Sequence, residues 1–485
     1  MFTIVEQNSR QVSDLDWFVE KVNARSFFES DRDVIVARAP GRLDVMGGIA
    51  DYSGSLMLEM PIAEGTFAAI QRNASDTIEI ASLKDDDDRI FAFSMELGDL
   101  VRDGEPLDLA SVRDYFAKQE GGAWASYIGG VFFVLSRELG VRFDAGAKVL
   151  VASRVPIGKG VSSSAALEVS VMQAVCSAYS INIEPRDLAL LCQKVENHIV
   201  GAACGVMDQI STHCGEEGKL TKILCQPAEI QGTLEIPDEV EFWGIDSGVR
   251  HAVSGSDYSS VRVGAFMGYR IIAELAALAV REIGHGVVEI EDKHWRGYLS
   301  NVCPDEYEVE FQDQMPYSMT GGSFLAKYRG TTDTVTSIDP SKTYAIKAPT
   351  EHAIYENWRV KRFAELLVGT IDERRLIELG ELMFASHAGY TACGLTETRT
   401  DRIVELVREM RDKGLFGARI TGGGSGGTVV VLASRGNRHA IDELIARLTD
   451  ETRHRSYIFE GSSPGCSLFG SIILRANRET LKVAE

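Results

Sequence analysis

The chain lacks any run of about 18 apolar residues, so no membrane-spanning helix is expected. No apolar core follows its polar start from Met1 to Asp14, so no secretory leader is expected either. Eight cysteines are scattered from Cys176 to Cys466 without one Cys-x-x-Cys pair. Such usage argues against a disulfide framework and for a reducing cytoplasm. Cys192, Cys204, Cys214 and Cys225 are too widely spaced for a zinc site, and are expected to be buried free thiols. Positive charge is also scarce: 50 basic residues face 71 acidic ones, a formal charge of −21. A surface that negative repels nucleic acid and anionic membranes, so neither is an expected partner. It still allows a local basic pocket for a small anion. Internal repeats and long low-complexity tracts are missing as well.

What is present is an ordinary globular composition, 45% hydrophobic and 25% charged over 485 residues. Single cores rarely grow past roughly 250–300 residues, so two domains are expected. The break is placed at 231–241, giving units 1–235 and 236–485. Strand signals, rich in β-branched residues and bounded by turns, fall at 34–38, 66–72, 77–82, 148–153, 241–246, 417–420 and 428–433. Leu167, Val171, Val175 and Ala178 mark one apolar helix face, and Leu188, Leu191, Cys192, Val195 and Ile199 a second. Further helices are expected at 261–281, 357–368, 374–383, 400–413 and 438–449. The mixture is α+β, without a regular βαβ repeat. The acidic run at 84–89 reads as a solvated hairpin loop.

The densest chemical signal runs from Val155 to Leu167. Gly158, Lys159 and Gly160 lead through Val161 to Ser162, Ser163, Ser164 and Ala165, where a helix begins. Glycines let main-chain N–H groups approach an anion, and a helix start adds partial positive charge. The segment reads as a phosphate cradle, with hydroxyls placed to reach a magnesium ion. It is not a Walker A loop, because Gly158-Lys159 is followed by Gly160 rather than Ser or Thr. Residues 422–427 match Gly-x-Gly-x-x-Gly, yet a strand rather than a helix follows them. Gly423 and Gly424 therefore read as a strand–loop–strand turn that approaches a ligand or another loop.

Two more segments are ambiguous alone. Arg42, Asp44 and Asp51 lie in a glycine-rich loop after the 34–38 strand, which also suits a salt-bridged surface turn. Glu196 adjoins a buried helix face, and Asp208 follows an apolar Gly205-Val206-Met207. An acid at a buried edge is costly unless it is paired or binds a cation.

Taken in order, these segments resemble the GHMP kinases, and most closely their galactokinase branch. Pro40, Gly41, Arg42, Gly47, Asp51, Tyr52 and Gly54 match the first signature. Pro156 to Ala166 matches the serine-rich second, Cys204 to Gln209 the third, and Thr421 to Gly427 resembles the late glycine signature. The resemblance implies a two-domain fold, with a ribosomal-protein-S5-like ATP-binding half and a ferredoxin-like second half. It implies transfer of a phosphoryl group from ATP to a sugar hydroxyl. Asp208 resembles the catalytic carboxylate, and Arg42 its cationic partner. Ser164 and Glu196 resemble the pair that holds Mg²⁺. Whether Asp208 abstracts a proton or orients the hydroxyl stays open. A monomer or weak homodimer binding only sugar and ATP is expected.

The sugar is where the pattern breaks. Galactokinases carry Glu-His-Thr-Asp-Tyr where this chain has Gly48-Ile49-Ala50-Asp51-Tyr52. The lost pair reaches the far end of galactose, and a site that lacks a hydroxyl's partner loses preference for that hydroxyl. Gly41 to Ser55 instead resembles the kinase portion of plant-type L-arabinokinases, over most of the chain. L-Arabinopyranose is galactopyranose without its sixth carbon, and Ile49 suits the space left. A galactokinase or another sugar 1-kinase is the alternative, and a catalytically silent sugar and ATP sensor a third. Gly205 and Tyr258 join the expected sugar contacts. His251 reads as a structural histidine.

Overall fold

The computed structural model of the chain describes residues 1–7, 11–84, 87–102, 104–250 and 256–477. His251, Asp85 and Asp86 lie outside them. A nine-stranded sheet runs in the order Phe2–Gln7, Ser471–Ala476, Val34–Met46, Leu56–Arg72, Ala147–Ser153, Thr77–Lys84, Asp87–Glu96, with Lys219–Leu224 attached to Leu56–Arg72 and Glu229–Glu235 to Lys219–Leu224. Thr77–Lys84 runs parallel to Ala147–Ser153, with Ile80 opposite Val149. The other described pairings in this sheet are antiparallel. A second sheet orders Leu415–Ile420, Thr428–Ser434, Val240–Asp246 and Ile458–Phe459.

Helices cover both sheets. Gly122–Leu139 lies between two left-handed glycines, Gly121 and Gly140, the second a stop that costs no Cβ clash. It packs with Ser163–Ala178 and Pro185–Lys194 in one apolar core. That core includes Val171 and Met172, and also Phe242, Phe363 and Leu379 from far along the chain. Truncating a fully buried leucine such as Leu379 costs about 2–5 kcal/mol. Thr398–Glu409 and Arg438–Thr452 pack on the second sheet through Ile403, Val407, Ile441 and Leu444. Ser256–Leu275 and Lys347–Leu366 share a third cluster. Among the described residues, no helix is long and apolar enough to cross a membrane.

Three differences from expectation matter for the site. The first part of the glycine-rich stretch after residue 38 is not a loop: the strand Val34–Met46 runs through Pro40-Gly41-Arg42, and a 3-10 turn, Gly48–Ser53, follows. Register shifts at Pro40/Arg42 and Asp44/Met46 absorb the proline and glycine as bulges. The helix expected at 261–281 is Ser256–Leu275, and its tail forms the strand Val280–Gly284 instead. Residues 471–476, assigned by sequence to the second half, form an inner strand of the first sheet.

Candidate active site

A cavity partly open to solvent is lined from both halves of the chain. One wall is Gly158, Gly160, Ser162, Ser163, Ser164 and Gly423. Gly158 and Gly160 are left-handed, at φ +75 and +69. Ser162 shares that conformation at φ 60, a strain of about 1–2 kcal/mol for a residue with a Cβ. It sits at the cap position of the helix Ser163–Ala178, yet its side chain caps nothing. Its Oγ is buried without a hydrogen-bond partner. A helix start with unsatisfied N–H groups, beside an unpartnered hydroxyl, suits an anion.

Arg42 forms the seam of the cavity. It is 2% exposed and reaches the Asp208 carboxylate from Nε at 2.9 Å and from Nη2 at 2.7 Å. Its Nη1 donates to the Gly160 carbonyl at 2.8 Å. Glu59 Oε2 lies 3.3 Å from Arg42 Nε, although neither Glu59 oxygen completes a hydrogen bond. Burial opposes the charge on Arg42, but Asp208, Glu59 and Asp44 more than restore it and raise its pKa. Asp208 lies in the first turn of the short helix Met207–Cys214 and is the less buried partner, at 21%.

Glu196 sits on a π-helical turn, Val195–Val200, that continues Pro185–Lys194. Such wide turns break the helical register and are frequent at functional sites. Glu196 Oε2 accepts from Gln209 Nε2 at 2.6 Å and from Cys204 Sγ at 3.5 Å. Burial pushes its pKa up to about 7, against the pull of hydrogen bonds from Ser164, Cys204 and Gln209.

The far end is made of side chains. Asp51 is 3% exposed, and a Cβ on Gly205 would overlap its Oδ2, so the carboxylate rests on bare backbone. Burial and the Asp208 charge push Asp51 up to about 7, against the pull of Arg262. Tyr258 stands edge-on to Tyr52 at 6.0 Å. Ile49 packs with Val261, Tyr390, Leu395 and Ile420 and lines the cavity with Tyr258.

The structure brings Arg42, Ile49, Asp51, Gly158, Gly160, Ser162, Ser163, Ser164, Glu196, Gly205, Asp208, Tyr258 and Gly423 to one cavity. Lys159, Val161, Ala165, Gly48 and Gly424 are not among its lining residues. Lys159 Nζ turns to Asp246 Oδ2 at 2.7 Å, and its carbonyl accepts from Thr428 Oγ1 at 2.8 Å. The second contact ties the phosphate loop to the late glycine hairpin. Val161 and Ala165 are buried in packing.

Sequence reasoning missed two residues at the end of the cavity that holds Ile49 and Asp51. Arg262 grips Asp333 through Nε at 2.9 Å and Nη2 at 2.8 Å, and lies over the Tyr52 ring at 5.4 Å. Tyr390 donates to Gly422 O at 2.6 Å. No short motif contains either of them. Arg250 also escaped notice, and its side chain lies against Gly158.

Comparison with known proteins agrees with this geometry. The GHMP kinases N terminal domain matches residues 126–216, and the GHMP kinases C terminal domain matches 366–451. The galactokinase galactose-binding signature matches 25–72. An L-arabinokinase of Arabidopsis thaliana is 44% identical over 94% of this chain. The chain spans 48% of that relative's length. A galactokinase of Chloroflexus aurantiacus is 29% identical over 86% of this chain and 87% of its own. The structure of Lactococcus lactis galactokinase complexed with galactose superposes with a TM-score of 0.69 at 20% identity, over 95% of this chain and 99% of that one. The expected two-domain α+β fold is therefore the one present. The chain thus matches the GHMP kinases at both of their domains and the galactokinases at the galactose-binding signature.

Proposed function

We propose that the chain is an ATP-dependent sugar 1-kinase. It transfers the γ-phosphoryl group of ATP to the anomeric hydroxyl of L-arabinose, giving β-L-arabinose 1-phosphate. The observation that carries this reading is Arg42, whose one guanidinium holds both Asp208 and the Gly160 carbonyl of the phosphate loop. Acceptor-side and donor-side groups thus meet at a single cation.

ATP's phosphates lie along Gly158, Gly160 and Ser162 to Ser164, with Gly423 opposite. The sugar lies against Asp51, Gly205, Ile49 and Tyr258. Asp208 holds the anomeric hydroxyl and takes its proton. The new O–P bond forms as the bond from Pγ to the bridging oxygen breaks, and ADP leaves with that electron pair. The transition state is loose, so positioning and charge stabilisation carry most of the rate, and Arg42 supplies both. The Ser164 hydroxyl and the Glu196 carboxylate line one cavity and are hard oxygen donors, which suits Mg²⁺. These two residues would hold the ion, which offsets phosphate charge when bound.

The Arabidopsis relative and the Gly48-Ile49 substitution support L-arabinose. The galactose-binding signature and the Chloroflexus relative support the second reading, a galactokinase. A silent sensor is disfavoured by the intact Arg42, Asp208 and serine loop. We also infer a cytoplasmic monomer or weak homodimer, divided near residue 236, with 471–476 returning to the first unit. The deciding experiment measures ADP release with Mg-ATP and a panel of free sugars. L-Arabinose should give the highest kcat/KM. A preference for D-galactose would overturn the sugar assignment, and no ADP with any sugar would leave only the sensor.

A further inference from the structure

Gly48 and Ile49 stand where galactokinases carry glutamate and histidine, and another side chain fills the vacated volume. Gly48 is left-handed at φ +57, and a Cβ there would overlap the Tyr390 hydroxyl oxygen. It would also come within 2.6 Å of Arg419 Nη2. Tyr390 reaches this point from the helix Glu373–Ala392 and is 0% exposed. Its hydroxyl accepts from the Ile49 N–H at 2.9 Å and from Arg419 Nη2 at 3.3 Å, and donates to Gly422 O at 2.6 Å. One donor and two acceptor sites are all a phenol offers, so the hydroxyl is saturated. Burial holds the phenol above its ordinary pKa, so it keeps the proton it donates.

Asp44 completes the arrangement. Its Oδ1 accepts from Gly48 N–H at 3.1 Å and lies 3.0 Å from Arg419 Nη1. Its Oδ2 accepts from Gly422 N–H at 3.0 Å. Both Asp44 and Arg419 are 0% exposed. The backbone of Gly48 and Ile49 is therefore pinned to two buried side chains. Ile49, packed with Tyr390, is held at the cavity wall.

We propose that Tyr390 is a specificity-determining residue of the sugar site. Its hydroxyl takes the volume of a side chain at 48 and fixes Ile49 as an apolar wall where a hexose would place its hydroxymethyl group. The proposal rests on the sugar-kinase reading. A pentopyranose has nothing to place at that wall. A hexose must bury a hydroxyl there without a partner, which a polar site would have supplied.

Tyr390→Phe keeps the ring and removes only the hydroxyl, leaving the Ile49 N–H and Gly422 carbonyl unpaired. kcat/KM for L-arabinose should fall about 10-fold, chiefly through KM, the scale of one buried hydrogen bond left unmade. D-Galactose should lose at most about 2-fold, so the selectivity ratio narrows about 5-fold while the ATP KM stays put. Equal losses for both sugars, or no loss, would overturn the proposal. Ile49→Ala keeps the Tyr390 hydroxyl and opens the wall, so it serves if the phenylalanine variant fails to fold. It should raise the galactose-to-arabinose ratio severalfold, and an unchanged ratio would count against the wall. A wild-type protein that phosphorylates neither sugar would sink the kinase reading alone. Calorimetric affinities of both sugars for wild type and the variants would then decide on the same ratio.

Discussion

The two ends of the cavity are built from different materials. The end proposed for phosphate is mostly backbone: left-handed glycines and a helix start within 158–164, with short serine hydroxyls and Gly423 from the late hairpin. The end proposed for sugar is side chains gathered from distant elements: Asp51, Ile49, Tyr258, Arg262 and Tyr390. Backbone binds any phosphate chain, because every phosphate presents the same oxygens. Side chains packed on side chains distinguish one hydroxyl from another, and changing one changes its neighbours. Arg42 joins the two, since it contacts Gly160 on one side and Asp208 on the other.

That division can be broken at three places. The largest effect is expected at the seam: Asp208→Asn should cut turnover by at least ~10² while calorimetric ATP affinity holds. Turnover near that of wild type would remove the chemistry from Arg42 and Asp208.

Asp51→Asn should act on the sugar end alone, raising sugar KM by about 10-fold or more with ATP KM unchanged. Its pH signature is specific. Asp51 titrates at about 7, so the carboxylate is neutral below that pH and charged above it. At saturating Mg-ATP, sugar kcat/KM should rise through about pH 7 in wild type, and the step should vanish in Asp51→Asn. The folded state keeps this proton from the ordinary value, 3.8, up to about 7, so stability is lost as pH rises across that window. Asp51→Asn should accordingly raise the melting temperature more at pH 8 than at pH 4. Equal shifts at both would show that Asp51 is not held neutral by burial.

The smallest effect is expected at Lys159. Its ammonium is committed to Asp246, so Lys159→Met should change ATP KM by less than about 3-fold while lowering the melting temperature. A tenfold loss of ATP affinity would place that lysine on the phosphates.

Legibility follows the same division. That Gly158 to Ser164 lines a cavity was readable because its residue types are consecutive and have few other uses. Arg42, Glu196 and Asp208 were ambiguous singly and became readable only as an ordered set. The pairing of Lys159 with Asp246 was not legible, because its partner lies far along the chain. Pro40-Gly41 read as a break in the strand, since local propensity cannot show that bulges against Leu56–Arg72 absorb it. Tyr390 and Arg262 left no trace, because their meaning lies in Gly48 and Asp333, elsewhere in the chain.

The strand Ser471–Ala476 has a consequence for how the molecule is made. It lies between Phe2–Gln7 and Val34–Met46, pairing Ile35 with Ile473 and Phe2 with Ala476. On the ribosome, the sheet that carries Arg42 stays open along one side until residues 471–476 have emerged. Val34–Met46 waits through synthesis with an unpaired edge, a surface prone to wrong partners. Closing such distant pairs is slow compared with local helix formation. The strand that carries Arg42 is thus sealed along that side only after a segment more than 400 residues further along the chain has been made.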